Sequence, residues 1–255
     1  MYICIAGKNS CAINALKIVL KSKIKKKEIL VLPNRSDNGK DSWQPSLKKF
    51  AKKKNVKIIN INNLYKLNDL FFFSIEYERI INVKKFRSKN LFNFHFSLLP
   101  KYRGCHTNFL QINNGEKFSG VTLHKIDAGI DSGDIIDKIK FKIKVNDTAE
   151  ENYLRLMKFS TILFKKYFIK ILNKDYQLKK QILSNGSYYS RKSVNYKKIL
   201  RFNIKKFNLK THNLIRSLIF PFYQLPIVNG LKIKRSIYKN KKINLIATSN
   251  NRFKH

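Results

Sequence analysis

The feature that most constrains the fold is a regular alternation of short apolar runs with helical patterns through residues 1–100. Each apolar run has the length of a buried strand and ends at a polar or turn-forming residue. The segments predicted as strands are Tyr2–Ala6, Ile29–Leu32, Val56–Ile61, Leu70–Ile75 and Leu91–Phe96. Because helices separate them, the pattern predicts an α/β fold with a doubly wound, mostly parallel sheet.

The next part of the chain contains one more alternating strand, Ser119–Ile126, and then a long helix. Asp147 and Glu150 resemble a capping box at the start of that helix. Its apolar face is predicted to carry Leu154, Met157, Thr161, Phe164 and Phe168. We expect this helix to close a catalytic domain that spans residues 1–178.

Residues 179–255 predict a small C-terminal region with a helix and a β-hairpin, for substrate binding or dimerisation. Short strands around turns are expected on both sides of a helix at Thr211–Leu218. The basic end of the chain, which includes Ser249, Asn250 and Asn251, is expected to fray.

The charge balance is strongly basic. Lysine and arginine total 54 against 15 aspartates and glutamates, which gives a formal net charge of +39. The basic residues are spread along the chain, which favours compositional bias over a dedicated nucleic-acid surface. We therefore expect no nucleic-acid partner, although the positive field would attract a substrate that carries phosphate.

Several common sequence signatures are absent. Cys4, Cys11 and Cys105 show neither metal-binding spacing nor a disulfide framework, so they fit a reducing compartment and predict no metal site. Gly7–Ser10 follows the first strand without the G-x-G-x-x-G pattern, which disfavours a nicotinamide or flavin cofactor. The start MYICIAG lacks the features of a signal peptide. We expect a cytoplasmic protein with no membrane association.

The first cluster of functional interest lies at the end of a predicted buried strand. Asn93 and His95 alternate with phenylalanines in Phe92–Phe96, and a loop containing Pro100 follows. Ligands bind at the carboxyl ends of parallel strands, and residues two apart in a strand share a face. Each residue also has a structural interpretation, with His95 as a hydrogen-bonded core residue and Asn93 as a turn former.

A second cluster, in residues 124–134, reads HKIDAGIDSGD. It places Asp127, Asp131 and Asp134 in one tight loop of a chain that has few acidic residues. A calcium site is the alternative interpretation, but the ligand spacing of an EF-hand is absent. The clustering of scarce acids favours a functional requirement.

Together the two clusters resemble the formyltransferase family that uses N10-formyltetrahydrofolate. The matching segments are NFHFSLLPKYRG, from Asn93 to Gly104, and GVTLHKIDAGIDSGDI, from Gly120 to Ile135. The resemblance is nearly unbroken between Asn93 and Ile135. It implies a formyltransferase fold, a folate donor and no metal.

The resemblance also implies roles for particular residues. Asn93, His95 and Asp131 would form the catalytic set. The residues implied to contact the folate donor are Ser74, Ile75, Glu76, Tyr77, Ser97, Leu98, Leu99, Arg103, Gly104 and Asp127. Within that set, the backbone of residues 74–77 would face the pterin ring.

These residue types suit formyl transfer. A primary amine attacks the formyl carbon, and negative charge develops on the formyl oxygen. The Asn93 amide and the His95 ring are able to stabilise that charge, and one such donor contributes about 3 kcal/mol. An imidazole also accepts a proton near neutral pH. Asp131 would orient His95, stabilise its charged form or relay protons through water.

A longer resemblance bears on the acceptor. The segments AGKNSCAINAL, GSYYSRKSVNY and IRSLIFPFYQLPIVNG look like those of sugar nucleotide N-formyltransferases. This implies transfer to a nucleotide-linked amino sugar, dTDP-4-amino-4,6-dideoxyglucose first, for a surface polysaccharide such as the O-antigen of lipopolysaccharide. It also implies a homodimer, and the strands of the C-terminal region would either contact the substrate or, as the alternative, form the dimer interface.

The acceptor residues implied in this way combine aromatic platforms for a base with cations for a diphosphate. They are Asn9, Trp43, Tyr102, Tyr188, Tyr189, Arg191, Lys192 and Tyr223. Phe222 and Arg216 are further candidates in the same region.

Two alternatives stay open at this point. Methionyl-tRNA formyltransferase shares the catalytic motif, and the high basicity suits tRNA. Against it, the C-terminal region is short, and Cys105–Thr107 replaces the small residue and proline that often follow Arg-Gly in those enzymes. A basic nucleic-acid-binding module with a decayed catalytic domain is the second alternative, which the intact Asn93, His95 and Asp131 disfavour.

Overall fold

A computed structural model describes residues 1–248, so the predicted fraying at Ser249–Asn251 lies outside the described residues. The strands within residues 1–248 are β1 Tyr2–Gly7, β2 Ile29–Pro33, β3 Lys57–Ile58, β4 Leu70–Ile75, β5 Asn90–His95, β6 Arg103–Gly104, β7 Phe118–Lys125, β8 Ile135–Lys142, β9 Tyr188–Tyr189, β10 Arg201–Phe202, β11 Ile227–Val228, β12 Leu231–Lys239 and β13 Lys242–Ala247. The α-helices are α1 Asn9–Leu20, α2 Leu47–Lys53, α3 Ile61–Tyr65, α4 Thr107–Asn113, α5 Ala149–Leu172, α6 Tyr196–Ile199 and α7 Leu209–Leu218.

The main sheet has seven strands in the order β3-β2-β1-β4-β5-β7-β8. The pairings from β3 through β5 are parallel, and β5 pairs with β7 in antiparallel fashion. The predicted α/β fold with a mostly parallel sheet is therefore confirmed. The sheet order reverses direction along the chain after β3, as in doubly wound folds, and strand ends at such a sheet form ligand sites.

The chain divides into two compact units, each built from three stretches. The first unit comprises residues 1–103, 120–139 and 157–187, and the second comprises residues 104–119, 140–156 and 188–255, which the structure describes to residue 248. The second unit contains the four-stranded sheet β10-β11-β12-β13 and the helix α7. The predicted division into functional domains at residue 178 stays a prediction.

Aromatic rings form the centre of the first unit. Phe73 lies 5.4 Å from Phe92, 5.3 Å from Phe164 and 6.1 Å from Phe168, measured between ring centroids. Phe73 and Phe92 belong to neighbouring strands, whereas the other two belong to α5. All four are 1% exposed or less, so this cluster fixes α5 against the strands that carry the predicted catalytic residues.

The second unit is held by a polar network beneath α7. His212 is fully buried, and its Nε2 lies 2.8 Å from the carbonyl oxygen of Val145, while its Nδ1 lies 2.8 Å from Ser236 Oγ. The helix begins with a capping box between Asn208 and Thr211. The predicted helix at Thr211–Leu218 is confirmed, and it begins two residues earlier, at Leu209.

Three details differ from the sequence predictions. Strand Val56–Ile61 was predicted too long, because Asn60 caps α3 by accepting a hydrogen bond from Asn63 N at 3.0 Å. The capping box of α5 is formed by Thr148 and Glu151, one residue beyond the predicted pair. Leu154 is 44% exposed and does not belong to the buried face of α5.

None of the helices within residues 1–248 has the length and apolar character that a membrane span requires.

Lys125 is a half-buried cation at the end of β7. Its Nζ donates to the carbonyl oxygen of Lys89 at 2.6 Å and lies 4.5 Å from the centroid of the Phe92 ring. Burial lowers the pKa of Lys125 to about 8, below the usual 10.5. Between these two values the unfolded chain binds the proton more readily than the folded chain does, so stability rises with pH there.

We expect Lys125→Met to stabilise the protein more at pH 7 than at pH 10. The lysine has to be charged in a poorly solvated place at pH 7, and that cost fades as the pH rises past about 8. The difference should be about 1 kcal/mol after allowance for partial exposure. Urea unfolding at both pH values measures it, with the exposed Lys89→Met as control. An equal effect of Lys125→Met at the two pH values would contradict the assignment.

We expect Phe73→Ala to lower the free energy of unfolding by about 3 to 5 kcal/mol, because it opens a cavity between the three buried rings of Phe92, Phe164 and Phe168. Phe207→Ala is the matched control, since Phe207 is 45% exposed and its removal should cost less than about 1 kcal/mol. Denaturant unfolding followed by circular dichroism measures both. Similar losses for the two variants would mean that the cluster does not stabilise the unit.

Candidate active site

Three strands of the first unit place polar side chains in one row. In the sheet register Ser74 of β4 pairs with Asn93 of β5, and Asn93 pairs with His124 of β7. Ser74 is the one polar residue of β4, and both Ser74 and His124 are buried. The row lies at the carboxyl ends of β4 and β5, where the sequence predicts the site.

The predicted catalytic residues Asn93, His95 and Asp131 lie together. Asn93 Nδ2 donates to Asp131 Oδ1 at 3.1 Å, and His95 Nδ1 lies 3.4 Å from Asp131 Oδ2. The side chains of His95 and Asp131 are 9% and 13% exposed. The Asp131 carboxylate thus contacts both partners with its two separate oxygens.

His124 also contacts this group, although the sequence alone assigned it no functional role. Its Nε2 lies 3.2 Å from Asn93 Nδ2 and 3.6 Å from Asp131 Oδ1, and its Nδ1 donates to its neighbour, the carbonyl oxygen of Lys125, at 2.7 Å. Because Nδ1 carries the hydrogen, Nε2 is left as an acceptor for the Asn93 amide. The strand register pairs His124 with Asn93, and local sequence pattern does not give that register.

The hydrogen-bond partners determine the orientation of His95 and Asn93. His95 Nε2 donates to the carbonyl oxygen of Tyr102 at 2.7 Å, since a carbonyl only accepts. Nδ1 then either accepts as a neutral nitrogen or donates to Asp131 as part of an imidazolium. Both N–H groups of Asn93 face acceptors, on Asp131 and His124.

The loop that carries Asp131 is held from two sides. Gln181, which is 8% exposed, donates through Nε2 to the carbonyl oxygens of Asp131 at 3.0 Å and Gly133 at 2.7 Å. Asp127 closes the start of the loop by accepting hydrogen bonds from Gly129 N at 3.2 Å and Ser132 Oγ at 2.8 Å. Asp131 itself has a left-handed backbone, with φ of 51°. These contacts fix the carboxylate before any ligand binds.

The predicted donor segment from Ser97 to Gly104 is also tightly ordered. Ser97 Oγ donates to the carbonyl oxygen of Lys101 at 2.7 Å, and Thr122 Oγ1 both donates to Ser97 O and accepts from Leu99 N. Tyr102 N donates to Ser187 Oγ at 2.9 Å. Leu98 packs over Gly120, where a Cβ would lie 2.4 Å from its side chain. Tyr102 is buried, with its carbonyl on His95.

The other predicted donor segment, Ser74–Tyr77, turns at Glu76, whose φ is 62°. Asn34 holds this turn, because its Nδ2 donates to Glu76 O at 2.9 Å and its Oδ1 accepts from Glu78 N at 3.3 Å. Gly7 approaches the same strand end so closely that a Cβ would lie 1.7 Å from Ile75 O. The segment is thus a preformed backbone edge beside the Ser74–Asn93 pair.

The residues predicted for the acceptor lie in both units. Asn9, Trp43 and Tyr102 belong to the first unit, where Asn9 starts α1 with φ of 63° and Trp43 is half-buried in the loop before α2. The members in the second unit are Gly104 from the donor set and Tyr188, Tyr189, Arg191, Lys192 and Tyr223 from the acceptor set. Tyr188, Arg191, Lys192 and Tyr223 are exposed, and Tyr189 is half-buried. Their ligand contacts stay predictions.

Arg216 was wrongly considered for the diphosphate. It is 3% exposed, and its Nη1 donates to the carbonyl oxygen of Asp147 at 2.8 Å, while its Nε donates to Asn213 Oδ1 at 2.9 Å. Burial lowers the pKa of Arg216 to about 10. The guanidinium therefore binds groups inside the second unit and does not face solvent.

Among residues 1–248, no group of three or more His, Cys, Asp or Glu side chains is arranged to hold a metal ion.

Two solved structures resemble the chain along most of its length. WlaRD, described as a sugar 3N-formyl transferase in the presence of dTDP and 5-N-formyl-THF, shares 46% identity with a TM-score of 0.90, covering 94% of this chain and 87% of WlaRD. The N-formyltransferase from Helicobacter canadensis is described in complex with folinic acid and dTDP-3-aminofucose. It shares 45% identity with a TM-score of 0.89, and the match covers 94% of this chain and 89% of that enzyme.

Curated relatives are less similar. The bifunctional polymyxin resistance protein ArnA of Wigglesworthia glossinidia brevipalpis is 34% identical over 69% of this chain, and methionyl-tRNA formyltransferase of Clostridium tetani is 32% identical over 75% of it. The chain spans only 28% and 65% of the lengths of these two proteins. The family model described as formyl transferase matches residues 3–167. With this match over more than half of its residues, the chain belongs to the formyl transferase family.

Proposed function

We propose that the protein transfers a formyl group from N10-formyltetrahydrofolate to the amino group of a dTDP-linked amino sugar. The observation that carries the proposal is the Asn93–His95–Asp131 group within a chain 45% to 46% identical to two sugar formyltransferases over 94% of its length. Those two enzymes are described with formylated folates and with dTDP or a dTDP-amino sugar. The proposal extends this chemistry to the present chain.

The residues predicted to hold the donor fit a folate. Ser74–Tyr77 presents a backbone edge that Asn34 fixes, and a pterin ring is recognised by such donors and acceptors. The buried Leu99 and the half-buried Leu98 offer apolar surface beside it. When bound, the donor supplies an electrophilic formyl carbon to the acceptor amine.

The catalytic residues then have separate roles. His95, with Asp131 at 3.4 Å, is suited to accept a proton from the acceptor amine or to hold positive charge beside a developing oxyanion. Asn93 directs both N–H groups to Asp131 and His124. Its Oδ1 is an acceptor, which in this proposal orients the amine. The sequence led us to expect that Asn93 donates to the formyl oxygen. For that, one Asn93 N–H group has to leave its contact with Asp131 or His124 and turn to the formyl oxygen.

The comparisons favour a different position for the acceptor amine from the one expected from the sequence. The sequence led us to expect the 4-amino sugar dTDP-4-amino-4,6-dideoxyglucose. The two similar enzymes are described with 3N-formyl transfer and dTDP-3-aminofucose, whereas a 4-N formyltransferase from Francisella tularensis shares only 20% identity, which indicates fold alone. We therefore place dTDP-3-amino sugars first and the 4-amino sugar second.

Formylation of methionyl-tRNA is the second candidate function. The curated methionyl-tRNA formyltransferases and the +39 charge favour it. Their similarity is lower than that of the sugar enzymes, so we rank it below. A homodimer, a cytoplasmic location and a role in making a surface polysaccharide complete the proposal.

We expect the purified protein to add one formyl group to dTDP-3-amino-3,6-dideoxygalactose in the presence of N10-formyltetrahydrofolate. Mass spectrometry detects the gain of one formyl group, and dTDP-4-amino-4,6-dideoxyglucose and methionyl-tRNA serve as competing acceptors. Faster turnover of the 4-amino sugar would show that the enzyme prefers an amine at position 4. Formylation of the tRNA alone would reject the sugar acceptor.

We expect His95→Ala and Asp131→Asn each to lower kcat by about 10³-fold, because they remove the proton acceptor or the carboxylate that orients it. Ser88→Ala is the control, since Ser88 is buried and donates to Leu70 O at 2.5 Å before β5 begins. That variant should keep the kcat of the unaltered protein. Steady-state kinetics with the best acceptor measure all three, and an unchanged kcat in His95→Ala would refute the role of His95.

A further inference from the structure

A hydrogen-bonded cluster around His106 lies in the second unit and does not include Asn93, His95 or Asp131. His106 precedes α4 and has a left-handed backbone, with φ of 59°. Its Nε2 lies 2.9 Å from the carbonyl oxygen of Arg191, and its Nδ1 lies 3.4 Å from the hydroxyl of Tyr196.

The partners of His106 specify where its proton lies. The Arg191 carbonyl only accepts, so Nε2 carries the hydrogen and Nδ1 accepts from Tyr196. Burial raises the pKa of Tyr196 to about 12, so its hydroxyl stays protonated at neutral pH. Edge-on ring contacts at 5.4 Å to His106 and 5.5 Å to Phe109 fix the Tyr196 ring. The cluster is therefore a preformed hydrogen-bond chain that ends on the backbone of Arg191.

A second contact holds the same stretch of backbone. Cys105 N donates to the carbonyl oxygen of Tyr189 at 2.8 Å, and a Cβ at Gly104 would lie 2.2 Å from that oxygen. Residues 104–106 thus fix the carbonyl groups of Tyr189 and Arg191, two residues apart. The side chains of Arg191 and Lys192, by contrast, are exposed to solvent.

From this arrangement we infer that His106 is a positioning residue, which fixes the backbone of Arg191 so that the Arg191 and Lys192 side chains bind the diphosphate of the nucleotide-linked substrate. The inference rests on the proposed function, which supplies the nucleotide. Arginine binds phosphate oxygens through two parallel hydrogen bonds, and this geometry requires a fixed approach. Anchoring the backbone before binding removes the backbone part of the entropy cost of ordering this segment around the diphosphate.

Calorimetric titration of the full chain with dTDP tests this inference without relying on turnover. We expect His106→Ala to weaken dTDP binding about fivefold, the effect of releasing one or two ordered side chains. His106→Gln keeps an N–H donor and should recover most of the affinity. Folinic acid binding should be unchanged in both variants, because His106 acts only on the nucleotide side.

Comparison with Arg191→Ala makes the test specific. If His106 acts through Arg191, adding His106→Ala to Arg191→Ala should weaken binding by less than about twofold, since coupled residues are not additive. Lys205→Ala, which removes one exposed positive charge from the same unit, is the control and should bind dTDP like the unaltered chain.

The possible failures are distinguishable. If the unaltered chain binds dTDP and His106→Ala binds it equally well, or if the losses at His106 and Arg191 add fully, the inference is overturned while the proposed function stands. A His106→Gln variant that folds, as judged by its melting temperature, but binds as weakly as His106→Ala also overturns it. No dTDP binding by the unaltered chain overturns the nucleotide part of the proposed function together with this inference.

Discussion

The carboxylate of Asp131 is the interaction on which the candidate site depends. Its two oxygens contact Asn93 and His95 separately, and His124 approaches from a third direction. Without this acceptor, the Asn93 amide would lose a partner in a poorly solvated place, which costs about 1 to 3 kcal/mol. A single acid in a chain with 15 acidic and 54 basic residues therefore orders a site made mostly of neutral groups.

The mostly parallel sheet was predictable because its buried strands are largely apolar, as in β4. The candidate catalytic group was predictable for a related reason, since polar residues such as Asn93 and His95 are conspicuous in a buried strand. The bounds of short elements were harder to predict. β3 and α3 are controlled by one capping side chain, Asn60, and an apolar pattern read over several residues does not resolve that control.

Contacts between residues far apart in the sequence could not be predicted from local pattern. Gln181 lies 50 positions from Asp131, whose carbonyl it binds, and nothing in the local sequence marks it as part of the site. Arg216 illustrates the converse error. A basic residue near aromatic residues suggests a phosphate ligand, but burial turns its guanidinium toward the carbonyl of Asp147 instead. Charge and neighbours in the sequence do not reveal which way a long side chain points.

The position of Gln181 also has a consequence for the order in which the chain assembles during synthesis. Lys179 pairs with Ile135 through two backbone hydrogen bonds, and Gln181 then reaches the Asp131 loop. Both residues leave the ribosome after α5 is complete. Every strand of the main sheet is therefore synthesised before the segment that holds the Asp131 loop, so the sheet is able to form before that loop is fixed.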